Sequence, residues 1–167
     1  MSFRLERLDE RHHVSTFTCG SRPGAADIDD FLRTRALAEQ SEGLSSTTIV
    51  VDTSSLGIVG FFTLSPLSIG IDTEVRSALG LGEARYARVG GYLLGRLGVA
   101  VEHQGRDFGE LLVERAIDAA QRAQHAVGGA FLAVDAKNER LLAWYLNLGF
   151  GFQRLHAGSR RIITRLS

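Results

Sequence analysis

The chain has 167 residues, nineteen basic and nineteen acidic side chains, one cysteine and an apolar fraction of 44%. That length suits one domain spanning residues 1–167, and the cancelled charge excludes binding a bulk polyanion through overall charge, leaving only a local patch for any nucleic-acid contact. The apolar runs break well before the ~18 residues of a membrane span, the leader MSFRLERLDERHH is too charged for a signal peptide, and a lone Cys19 without clustered ligands argues against a disulfide or structural metal.

A cytoplasmic αβ protein with no membrane contact is therefore expected. In chain order, Phe3 to Leu8 reads as an edge strand, and His12 and His13 as solvated side chains in a charged leader. After the turn-rich CGSRPG, Asp27 to Gln40 reads as one helix, with Ile28, Phe31, Leu32 and Ala36 on its apolar face and Asp29, Arg33 and Glu39 off it. Thr47–Asp52 and Gly57–Ser65 look like an antiparallel hairpin. The stretch from Thr73 to Arg88 stays undecided, because Gly80 and Gly82 weaken any helix across it.

Leu93 to Val101 reads as a strong strand, Gly109 to Gln124 as an amphipathic helix and Phe131 to Asp135 as a short strand. Glu139 to Leu148 carries Leu141, Trp144, Tyr145 and Leu148 at helical spacing, and the tail closes as a hairpin around HAGS. The β-α-β order from Val101 to Phe131 predicts parallel neighbours joined by a right-handed crossover. The whole is expected to be an α/β fold with a mixed central sheet and flanking helices.

The most informative stretch is LGVAVEHQGRDFGELL, residues 97–112: an apolar strand, a loop with Gly105 and Gly109, and a helix opening. Main-chain N–H groups of such a loop, with the unsatisfied first-turn amides behind it, present partial positive charge to a diphosphate without a basic side chain. The spacing G-R-D-F-G fits neither the dinucleotide fingerprint G-x-G-x-x-G nor a nucleotide-triphosphate loop, which ends in Gly-Lys-Ser/Thr. A loop that simply turns is the plain alternative.

Joined to the later helix, LGRLGVAVEHQGRDFGELL followed by NERLLAWYLNLGF resembles the GNAT superfamily of N-acyltransferases. The resemblance implies the GNAT fold, acetyl-CoA as acyl donor, and a pyrophosphate held along Gln104, Gly105, Arg106, Asp107, Phe108 and Gly109. Gln104 and Gly109 occupy the ends of the family signature, and Asp107 stands where its middle glycine belongs. Asp tolerates a left-handed backbone better than most residues but brings a charge near a dianion; Arg106 offsets it. The resemblance further implies pantetheine contacts along Leu97, Gly98 and Val99, amides near Val99 that polarise the acyl carbonyl, and a cofactor contact from Asn138, for which capping of the following helix is an equal explanation. It gives Tyr145 the role of general acid toward the departing thiolate; by periodicity alone a Trp-Tyr pair is a core feature.

A narrower resemblance covers almost the whole chain. FTCGSRPGAADIDDFLRTRALAEQSEGLSSTTIVVD, GIVGFFTLSPLSI and GGYLLGRLGVAVEHQG, in that order, are similar to the TacT-like GNAT toxins of bacterial toxin-antitoxin pairs. This implies acetylation of the free α-amine of aminoacyl-tRNA, a ribbon-helix-helix antitoxin as partner, and a phosphate-binding surface drawn from Arg33, Arg35, Arg85, Arg88 and Arg96, each of which alone reads as a solvated residue. Exposed strand edges and neutral charge suggest a homodimer. The expected reaction is direct transfer to a primary amine; no motif names its base. A small-molecule or protein amine as acceptor, and a non-catalytic binding module of the same fold, are the alternatives.

Overall fold

The computed structural model describes residues 2–83 and 85–167. Seven strands hydrogen-bond in the order β1-β2-β3-β4-β5-β7-β6, and the chain divides into two compact units, Met1–Ser65 with Gly95–Ala116 and Pro66–Leu94 with Ile117–Ser167. The long elements β3 (Ile58–Gly70), β4 (Arg88–Val99) and α4 (Phe108–Val127) each supply residues to both.

In the first unit, β1 (Phe3–Arg7) lies antiparallel to β2 (Ser46–Asp52), which forms a hairpin with β3 whose register shifts between Val50 and Val51. The helix expected over 27–40 is two helices, α1 (Ala25–Thr34) and α2 (Ala36–Ser41). They break at Arg35, whose φ of −124° leaves the helical region; its N–H still closes α1 on the Phe31 carbonyl, and its carbonyl accepts from Glu39 in α2. Phe31 and Leu32 of α1 pack with Phe17, Ile49 and Phe61 in one apolar cluster, where the Phe17 and Phe61 rings meet edge to face at 5.5 Å.

Two expectations change, one in the leader and one in α1. His12 is tucked in against Glu6 (Nε2 to Oε1, 3.0 Å) while His13 is exposed. Asp29, expected off the apolar face, is only 6% exposed. Its carboxylate accepts from the Cys19 N–H at 2.8 Å and the Thr18 hydroxyl at 3.0 Å, which is how a buried charge on an otherwise apolar face is tolerated.

In the second unit the undecided stretch resolves into α3 (Thr73–Leu79), capped by Asp72, which accepts from the Val75 N–H at 2.8 Å, and stopped at Gly80. The parallel β4–β5 pair expected from the crossover order is present, registered at Tyr92 with Leu132 and Leu93 with Ala133; β5 is Phe131–Asp135. Strand β7 (Arg161–Arg165) runs antiparallel to β5 and pairs with the short β6 (Gln153–Arg154). Helix α5 (Glu139–Leu146) starts at Asn138. Val75 and Leu79 of α3 join Phe131, Ala133, Leu155 and Ile163 in a second apolar cluster. Among the described residues no helix is long and apolar enough to cross a membrane.

Candidate active site

The loop that the sequence singled out has the backbone of an anion cradle. Gly105 and Asp107 both take left-handed φ, +79° and +63°, and such alternation turns successive N–H groups toward one side. A Cβ added to Gly105 would meet nothing within 4 Å, so open space faces this bend. The first i to i−4 bond of the 20-residue helix α4 runs from the Leu111 N–H to the Asp107 carbonyl. The amides of Phe108, Gly109 and Glu110 therefore precede the helical ladder, with the positive end of the macrodipole behind them. Arg106 and Asp107 are exposed.

Gln104 plays a different part from its neighbours. Its side-chain Nε2 donates to the Cys19 carbonyl at 2.7 Å and to the Val99 carbonyl at 3.0 Å, so the side chain pins the loop to the end of β4 and to the leader. Upstream, Gly98 sits where no side chain fits: a Cβ there would approach Ile28 Cγ2 to 2.9 Å and Phe61 Cε1 to 3.0 Å. Leu97 and Val99 flank it, half-buried.

In the second unit, Tyr145 is 8% exposed on α5 and meets the rings of Trp144 and Phe152 edge to face, at 4.9 and 5.9 Å. The ring is thus a core residue as periodicity alone suggested, yet its hydroxyl makes no hydrogen bond with a described residue. Burial pushes its pKa up to about 12, which keeps the proton on the oxygen throughout the neutral range. Asn138 caps α5, accepting from the Leu141 N–H at 2.9 Å. The capping explanation is realised.

The five arginines separate into two groups. In the first unit, Arg35 and Arg96 both stack on Phe31, their guanidinium carbons 5.2 and 4.9 Å from the ring centroid, and Arg33 donates to the Phe17 carbonyl. The Nε of Arg96 is buried without a partner. In the second unit, Arg88 donates to the hydroxyl and carbonyl of Ser68 at 2.9 and 2.7 Å, and Arg85 is exposed. Among the described residues none of the five forms an ion pair with a carboxylate, whereas Arg4, Arg11, Arg154, Arg160 and Arg161 all do.

Residues 25–150 match the acetyltransferase (GNAT) family. The chain belongs to that family. The acetyltransferase is 28% identical over 145 residues to a tRNA-acetylating toxin of Mycobacterium tuberculosis (strain ATCC 25618 / H37Rv), covering 86% of this chain and 81% of that one. Its fold matches AtaT complexed with acetyl-methionyl-tRNAfMet, with a TM-score of 0.82, 23% identity, and coverage of 98% of this chain and 95% of that one. It also matches a variant AtaT toxin bound to the C-terminus of the antitoxin AtaR and acetyl-CoA, with a TM-score of 0.76, 21% identity, and coverage of 98% and 93%.

The protein is an acetyl-CoA-dependent acetyltransferase with a mixed seven-stranded sheet. The cradle suits that donor: left-handed residues on either side of Arg106, an open face at Gly105 and first-turn amides ahead of the helical ladder are what a diphosphate needs. Cys19 is no competing nucleophile. Burial, and then the Asp29 carboxylate beside it, push its thiol up to about 12, so the acetyltransferase carries no reactive thiolate there at neutral pH.

Proposed function

We propose that this acetyltransferase moves the acetyl group of acetyl-CoA to the free α-amine of aminoacyl-tRNA, acting as the toxin of a toxin-antitoxin pair that blocks translation. The observation that carries the reading is the stacking of two guanidinium groups, those of Arg35 and Arg96, on the one ring of Phe31. Arg33, Arg35 and Arg96 lie in one unit, two of them preorganised on the Phe31 ring, and guanidinium groups held this way are suited to phosphate. A chain of zero net charge binds a polyanion through such a patch, and the tRNA-acetylating relative supports tRNA as that polyanion.

Acetyl-CoA supplies the activated thioester. The chain's own groups do the rest: main-chain N–H groups from Gly105 to Gly109 hold the diphosphate, Leu97 to Val99 line the pantetheine arm, and amides near Val99 polarise the carbonyl. Arg106 balances Asp107, and Asn138 borders the arm while capping α5. Tyr145 gives its proton to the departing sulfur. We further read residues 1–167 as a single cytoplasmic domain that forms a homodimer and meets a ribbon-helix-helix antitoxin, in line with the antitoxin-bound AtaT neighbour.

The test is direct. Purified protein incubated with aminoacyl-tRNA and labelled acetyl-CoA transfers label to the tRNA, and raising the salt slows transfer as phosphate contacts are lost. No labelled tRNA at any salt concentration, with turnover on a small or protein amine, gives the acceptor to that class instead.

A further inference from the structure

The second unit holds a cavity of about 660 Å³. Its charged and polar walls are Asp72, Asp135, His156, Ser159, Arg160 and Arg161. Two ion pairs frame it. His156 Nε2 meets Asp72 Oδ2 at 2.6 Å, and Arg161 grips Asp135 through two bonds of 2.7 and 2.8 Å. Beside the first pair stands Glu74, and polar atoms of Asp72, Glu74 and His156 all lie within 4.8 Å of one another. Arg160, another wall, reaches Glu139 in the first turn of α5 at 3.6 Å. Tyr145 follows six residues later on that helix, about 9 Å along its axis.

An amine acceptor at neutral pH arrives as an ammonium and must lose a proton before it attacks. Two carboxylates next to an imidazole form a place where an ammonium is attracted and a proton is accepted. A carboxylate partner also fixes which ring nitrogen is available, leaving the other free to take a proton. We propose that this cavity receives the acceptor's primary ammonium, with Asp72 and Glu74 binding it and His156, oriented by Asp72, as the general base. The Val75 N–H and then His156 hold the Asp72 carboxyl below its ordinary range, so it stays charged while the imidazole works. The charged groups around His156 are Asp72, the cap of α3, and Glu74 of α3 beside it, with Asp135 from β5, Arg161 from β7 and Arg160 from its own loop on the walls of the same cavity.

The protons balance. His156 takes one from the ammonium and releases it to solvent; the neutral nitrogen then forms the C–N bond as the C–S bond breaks. Tyr145 protonates the sulfur and is reprotonated, through water, by the second proton leaving the nitrogen. The products are amide, thiol and one proton.

This inference rests on the acetyltransferase reading and deepens it. The experiment is the pH dependence of kcat/KM for wild type, His156→Gln and Asp72→Asn with an aminoacyl-tRNA acceptor. Both side chains are about half exposed, and Asn caps α3 as well as Asp does, so both variants fold. His156→Gln is expected to lose at least 30-fold at pH 6.5 and to recover to within about 3-fold at pH 9, where an α-amine, with a pKa near 8, is already neutral. Asp72→Asn is expected to lose 3- to 10-fold with the same recovery. A loss equal at both pH values, or none, overturns the proposal and leaves the pair as a loop tether. If wild type leaves tRNA unlabelled, the tRNA reading fails, and the same pH series on a small α-amine that is likewise neutral by pH 9 decides the role of His156.

Discussion

The loop from Gln104 to Gly109 and the cavity beside His156 are built on opposite plans. The loop is local and made of main chain: six consecutive residues, two left-handed turns and a helix opening. The cavity is made of side chains brought together by folding, its central pair 84 residues apart in sequence. A cradle of backbone tolerates side-chain changes that respect its φ angles, whereas a pair of side chains fails with either member. Substitutions on the two plans should therefore fail differently.

The largest expected effect lies with Tyr145, the buried side chain with an unspent hydroxyl. Tyr145→Phe removes only that oxygen, and turnover is expected to fall by about 10² to 10⁴ with acetyl-CoA affinity unchanged; full turnover would remove the acid role. Ionisation of the same residue gives a pH prediction. The ordinary phenol value of 10 is raised to about 12 in the fold, so between these values the native state holds the proton that the unfolded chain has lost. Stability from this group is complete below pH 10 and declines up to pH 12, by up to about 3 kcal/mol. Denaturant melts at pH 8 to 11 should show a steeper alkaline decline for wild type than for Tyr145→Phe.

Gly98 tests the strand that leads into the cradle. In Gly98→Ala the new methyl group meets Ile28 and Phe61 at 2.9 and 3.0 Å, and a loss of about 1–3 kcal/mol is expected in urea unfolding. Asp107 tests the cradle with a smaller effect. Asp107→Gly relieves a left-handed non-glycine residue, at φ +63°, and removes a carboxylate from the loop proposed to hold the diphosphate. A few-fold lower KM for acetyl-CoA is expected, and an increase would mean that the carboxylate helps. Smallest of all is the response of Cys19, buried and raised to about 12: thiol reagents at pH 8 should label it at well under one hundredth of the rate of an exposed cysteine, and only after unfolding should it react normally.

The same contrast explains what the sequence could tell. Strand, loop and helix opening in LGVAVEHQGRDFGELL are neighbours in the chain, so their order is legible in the sequence, and β5 lies at the residues expected. The break at Arg35 was not, because helical periodicity continues across it and only one backbone angle departs. The burial of Asp29 is not legible either, since nothing in its neighbours announces that Thr18 and the Cys19 N–H come back to meet it. The one available signal was a carboxylate between Ile28 and Phe31. His156 and Asp72 lie in turn-forming segments without a motif, and only the packing of α3 near the β6–β7 loop pairs them. For the arginines, the division between two units and the stacking of two of them on Phe31 belong to the fold and leave no mark in the sequence.

The central claim is that main chain around Gly105 holds the coenzyme diphosphate, and calorimetric titration of acetyl-CoA into wild type and Gly105→Val tests it most directly. Valine strongly disfavours a φ of +79°. Saturable binding by wild type, weakened at least tenfold in the variant while its melting temperature stays within a few degrees, is the predicted result. Equal affinity in the two folded proteins, or no heat from wild type at millimolar acetyl-CoA, would contradict the account.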